Sequence, residues 1–69
     1  MPTIHQRLAR NITALMAKKK ITAERLALEI DKDKGHVSRI LSGKKRASLD
    51  LVALIAEALG TDVGELFRK

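Results

Sequence analysis

Lys34, Gly35, Ser38 and Arg39 share one face of any helix that starts at Lys34, because neighbours and residues three or four apart lie together on a helix surface. That face carries two cations, a small hydroxyl and bare backbone. A guanidinium at Arg39 offers a fork of donors that fits the O6 and N7 acceptors of guanine. Lys34 suits either a base edge or a phosphate. Just beyond, Ser42-Gly43-Lys44-Lys45-Arg46 adds three positive charges within one loop. This is the chemistry of gripping a polyanion and not of making bonds. The few carboxylates fall at caps or on solvent faces, and no Ser, His and Asp constellation can be assembled, so an enzyme is not expected. Cysteine is absent and His5 and His36 are widely separated, which predicts no disulfide, no metal site and no cofactor.

The elements that must position those residues are all helical. Leu26, Ala27, Ile30, Val37 and Ile40 are spaced to let two short helices cross closely, giving a helix-turn-helix over about residues 22–41. Thr22 caps the first of the pair, with Arg25 where a full capping box wants Glu or Gln. Asp31-Lys32 forms the turn, with Asp31 suited to a left-handed backbone. Asp33 caps the second helix, Lys34 to about Leu41, and Gly43 stops it. Before the pair, Thr3 and Gln6 make a capping box for a helix whose apolar face is Ile4, Leu8, Ile12, Leu15 and Met16. That helix is expected to fray in Lys18-Lys19-Lys20, where cations suit its negative end. After the pair, Ser48 caps a helix from Leu49 to Leu59, closed by Gly60. Its stripe is Leu49, Val52, Ile55, Ala56 and Leu59, widened by Leu51, Leu54 and Ala58. Asp62 and Glu65 form a second capping box for a last turn through Val63, Leu66 and Phe67. With no strand signal, the expectation is a compact all-α, five-helix domain filling residues 1–69.

The charge is divided along the chain. Residues 1–46 hold 12 Lys and Arg against 4 Asp and Glu, a balance of +8; residues 47–69 hold 2 against 4, a balance of −2. The basic half is the helix-turn-helix half, which suits a protein that lays one face on polyphosphate. With Phe67 the only aromatic residue, a stacking platform for single strands is excluded. No signal-peptide segment opens the chain and the longest apolar run, Leu51 to Ala56, cannot span a bilayer. A cytoplasmic protein with no membrane partner is expected.

Taken together, Leu26-Ala27, Val37-Ser38-Arg39-Ile40, Ser42-Gly43-Lys44, Ser48-Leu49, Ala58-Leu59-Gly60 and Glu65-Leu66-Phe67 resemble the Cro and phage-repressor (lambda-repressor-like, XRE-type) helix-turn-helix family, over roughly residues 8–67. The resemblance implies double-stranded DNA as partner, with the second helix of the pair in the major groove. It assigns base contacts to Lys34, Gly35 and Arg39, with Ser38 a small groove-facing filler. It assigns phosphate contacts to Thr22, Ser42, Lys44 and Arg46, with Lys45 nearby. Free amides at helix N-termini and three loop charges agree with that assignment. His36, third in the helix, is placed at a phosphate or a thymine, or simply in solvent.

The sequence departs from the family pattern in four places. Ala23 stands where many relatives have a phosphate-binding Gln, leaving only a backbone amide. Gly35 removes one reading side chain and costs about 0.5–1 kcal/mol of helix stability relative to Ala. Lys32 replaces an apolar turn residue, its stem able to cover the core. Met16 and Leu41 replace an Arg–Glu pair together, which strands no charge.

The resemblance implies a sequence-specific transcriptional regulator, a repressor, binding a palindromic operator as a homodimer. Leu51, Leu54, Val63 and Phe67 are the candidate dimer surface, or else they complete the monomer core. Two rivals stand beside this reading: an antitoxin-like module that also grips a partner protein, and the DNA-binding half of a longer repressor.

Overall fold

Five side chains start five helices. Thr3, Thr22, Asp33, Ser48 and Asp62 each accept the amide N–H three residues on, from Gln6, Arg25, His36, Leu51 and Glu65, at 2.7–3.1 Å. Each bond satisfies an amide that the helix itself leaves unpaired, and such caps contribute about 1 kcal/mol. In the computed structural model, which describes residues 3–69, the helices are α1 (Ile4–Lys19), α2 (Ala23–Glu29), α3 (Lys34–Leu41), α4 (Leu49–Ala58) and α5 (Val63–Leu66). Met1 and Pro2, the first residues of the predicted 1–69 domain, lie outside the described residues. Gln6 returns its side chain to the Thr3 amide at 2.9 Å, so the first capping box is complete. The second is only half formed: Glu65 turns instead to Arg68, at 3.1 Å.

The first four helices end in one way. A left-handed residue lets the next amide reach back five residues, to a carbonyl inside the helix. The four residues are Lys20, Asp31, Gly43 and Gly60, and the returning bonds run from Ile21 to Met16, Lys32 to Ala27, Lys44 to Arg39 and Thr61 to Ala56, at 2.9–3.0 Å. Asp31 takes the conformation expected of it. Lys20, with φ of 59°, takes the same one, so the lysine run closes α1 as a turn and not by fraying.

The core is one cluster. Leu8, Ile12 and Met16 from α1 meet Leu26, Ala27 and Ile30, then Val37 and Ile40, then Leu51, Val52, Ile55, Ala56, Leu59 and Leu66. α2 packs on α3 and α4, α1 on α3 and α5, and α4 on α5. No polar or charged side chain of the described residues is buried. Met16 is buried and Leu41 packs on the cluster, as expected of an apolar replacement for an ion pair.

The stripe of α4 is rotated from the expected one. Leu49 is 75% exposed and Leu51 only 7%. At roughly 100° per residue, Leu51 lies inside the arc centred on Val52, Ile55 and Leu59, whereas Leu49 lies about 90° from its centre in the first turn. Ile4, likewise in a first turn, is 53% exposed, and Leu15 is only partly buried.

Asn11 is a link that no local pattern announces. Its amide donates to the carbonyls of Leu66 and Arg68, at 2.9 and 2.6 Å, and ties α1 to the end of α5.

Candidate nucleic-acid interface

Helix α3 is anchored by Val37 and Ile40, which are buried, and it turns Lys34, Gly35, Ser38 and Arg39 outward, all exposed. The predicted stripe is therefore a single open face. Its start is held by Asp33, whose carboxylate accepts the His36 amide at 2.7 Å. That carboxylate also lies close to Gly35. A Cβ there would lie 3.2 Å from Asp33 Oδ1 and 3.6 Å from Arg39 Nη1. The Arg39 guanidinium lies back over bare backbone at Gly35; a methyl group there would make ordinary contact with the guanidinium and would require the Asp33 carboxylate to shift by a few tenths of an ångström.

The basic loop is folded onto the end of α3. The Arg39 carbonyl accepts from the Lys44 amide at 3.0 Å, the Lys45 amide at 3.1 Å and the Ser42 hydroxyl at 3.0 Å. Lys44, Lys45 and Arg46 are thus exposed cations on an ordered turn, set beside the open face. Ser42, expected at a phosphate, is exposed and donates its hydroxyl to the Arg39 carbonyl and its amide to the Ser38 carbonyl, which anchors the loop to α3.

Thr22 is exposed at the start of α2, and its hydroxyl accepts the Arg25 amide at 3.1 Å. The first amides of α2, those of Ala23 and Glu24, remain to face an anion, although the Ala23 side chain packs on the core. Lys34 does not stand alone. Its Nζ lies 3.6 Å from Glu24 Oε1, a pairing between two exposed side chains that the sequence pattern did not suggest.

His36 is half-buried, and its Nε2 is enclosed with no hydrogen-bond partner. Loss of solvent holds its pKa below the usual 6.5; Lys45 and Lys32 push the same way, Asp33 opposes them, and Arg39 adds a smaller push downward. The ring is neutral at pH 7 and wedged among cations, neither fully solvated nor reaching outward through Nε2.

Of the four candidate dimer residues, Leu51 is spent in the monomer core, because the rotated stripe of α4 turns it inward. Val63 and Phe67 pack against the core while remaining partly exposed, and Leu54 is 46% exposed.

Among the described residues no helix is long and apolar enough to cross a membrane, and no group of His, Cys, Asp and Glu could hold a metal ion. The helix-turn-helix family's profile matches residues 7–66. The fold superposes on two crystal structures of the clp gene regulator ClgR from Corynebacterium glutamicum, with a TM-score of 0.91 for each. One is 27% identical, over 96% of this chain and 86% of the other; the second is 28% identical, over 94% and 69%. No curated protein sequence matches the chain.

Proposed function

Because the chain belongs to the helix-turn-helix family of Cro and phage-repressor type, a family of DNA-binding transcription regulators and not of enzymes, we propose that it is a repressor that binds a palindromic operator as a homodimer. In this reading α3 enters the major groove, Arg39 reads a guanine, and Lys34 reads a second base. Lys44, Lys45, Arg46 and the first amides of α2 hold phosphates on either side. Likeness to a gene regulator supports the regulatory half of the reading. The observation that carries the DNA half is the open face of α3, with an ordered cationic turn fixed to its end through the Arg39 carbonyl.

The reading needs two copies. The domain measures 31 × 22 × 21 Å, so one copy spans less than the roughly 34–36 Å between successive half-sites on one side of a duplex. Leu54, with the exposed edges of Val63 and Phe67, is the proposed contact between copies. Sedimentation at high micromolar concentration should show a dimer; a monomer there would remove this part of the proposal.

Selection from a random duplex pool tests the whole. A palindromic winner, bound about a thousandfold or more tighter than scrambled DNA at the same salt, is expected. Equal, steeply salt-dependent binding to both would reduce the protein to its basic face and overturn the reading.

A further inference from the structure

The pair Lys34–Glu24 joins the first turn of α3 to the first turn of α2. Both side chains are mostly exposed, so the pair contributes little to folding. Its position is what matters. Glu24 is the acidic residue of the α2 first turn, and it stands beside the amides that the proposed function assigns to a phosphate. It also sits against the cation that opens the reading helix. A carboxylate in that place works against binding to any phosphate backbone, whatever the sequence.

A phosphate approaching Lys34 meets the attraction of the ammonium and the repulsion of the carboxylate together, and the two charges largely cancel. Base edges respond differently. The O6 and N7 of guanine are neutral acceptors that can take a proton donor from Lys34 while Glu24 stays in place. The N4 amine of cytosine is a donor that a carboxylate can accept. We propose that Glu24 is a specificity-determining residue, which keeps Lys34 from phosphates and weakens binding to arbitrary sequence more than binding to the operator. The proposal rests on the reading of α3 as the helix that enters the major groove.

The test is Glu24→Gln, with wild type and variant titrated against the selected operator and against a random duplex over a salt series. Affinity for the random duplex should rise about two- to fivefold in the variant, the scale of one exposed ion pair. Its log–log salt slope should steepen by about 0.9 as Lys34 gains a phosphate. Operator affinity should change by less than about twofold, so the specificity ratio falls. Placing Lys34→Gln in both backgrounds locates the effect: without Lys34, most of the gain from Glu24→Gln should vanish. Equal changes on both duplexes, or no gain on random DNA, would overturn the proposal. If wild type itself fails to discriminate between the duplexes, the reading of α3 has failed. If it discriminates and Glu24→Gln leaves the ratio unchanged, only the role of Glu24 has failed. Glu24 is exposed, and an unchanged melting temperature will show that the fold is intact.

Discussion

Helices α3 and α4 are closed in the same way at both ends. Asp33 and Ser48 each accept an amide three residues on, and Gly43 and Gly60 each turn left-handed to let an amide reach back. Between those ends they differ. α3 buries Val37 and Ile40 alone, whereas α4 buries Leu51, Val52, Ile55 and Ala56, with Leu59 at its cap. A helix held by its termini and two core residues has the rest of its surface free for a partner. A helix with a wide apolar arc holds the domain together. The same local chemistry thus makes one helix a reader and the other a keel, and the choice lies in the faces and not in the caps.

The sharpest way to break that contrast is to cut the keel. Ile55→Ala removes a side chain that is only 1% exposed, and should destabilise by about 2–5 kcal/mol. A domain of this size has roughly 3–10 kcal/mol in total, so denaturant titration should find the variant partly or largely unfolded. If Ile55→Ala were as stable as wild type, α4 would not be the element the core depends on.

The matching cut in the reader should leave stability alone. Arg39→Ala removes an exposed side chain and should lower the melting temperature by no more than about 4 °C. It should nevertheless relax preference at one base pair per half-site by about 1–3 kcal/mol. Lys44→Ala should instead weaken all sequences alike and reduce the salt slope by about 0.9. Binding to a set of single-base operator variants separates the two. Uniform losses for both substitutions would remove the reading role of Arg39.

A third cut falls outside both helices, at the link from α1 to α5. Asn11→Ala leaves the Leu66 and Arg68 carbonyls without their donor and should cost about 1–2 kcal/mol, less than a core truncation because the site is partly open to water. Hydrogen exchange should show α5 loosened while α3 keeps its protection. Equal loosening of α3 would mean that α3 and α5 unfold as one.

Smaller still is a gain. Lys20 and Asp31 hold the left-handed positions that Gly43 and Gly60 fill without strain. Lys20→Gly should raise stability by about 0.5–1 kcal/mol, after allowance for the extra freedom of glycine in the unfolded chain. Thermal melts decide it, and a loss would mean that the Lys20 side chain does more at the end of α1 than close a turn.

Much of this was legible because it is local. The caps at Thr3, Thr22, Asp33, Ser48 and Asp62, the left-handed Asp31 and the alternation of buried and open residues along α3 all follow from residues within one turn of each other. What was not legible depends on distance or on direction. Asn11 meets carbonyls 55 and 57 residues away, and nothing near it in sequence marks the bond. The rotation that buries Leu51 and exposes Leu49 depends on which side of α4 its neighbours occupy. Glu24 and Lys34 are ordinary surface charges until the turn brings their helices together. In the candidate site the stripe of α3 was plain, whereas the committed hydroxyl of Ser42 and the half-covered ring of His36 were not. The first depends on the loop folding back onto Arg39.

His36 allows the gentlest test of the contrast, because it gives α3 a titratable group with a covered edge, while the charged residues of α4, Asp50 and Glu57, are exposed. Loss of solvent, and then Lys45 and Lys32, make the folded chain bind this proton less readily than the unfolded chain does. Where the unfolded state binds more protons, acid favours unfolding. The stability tied to the neutral ring is therefore complete above the ordinary value of 6.5 and is lost as the pH falls from there through the lower folded value. Melting temperatures measured from pH 8 to pH 5 should decline for wild type and decline less for His36→Gln, whose amide cannot take up a proton. His5 and the carboxylates are common to both proteins and cancel in the difference. Parallel curves would mean that water reaches the ring in solution.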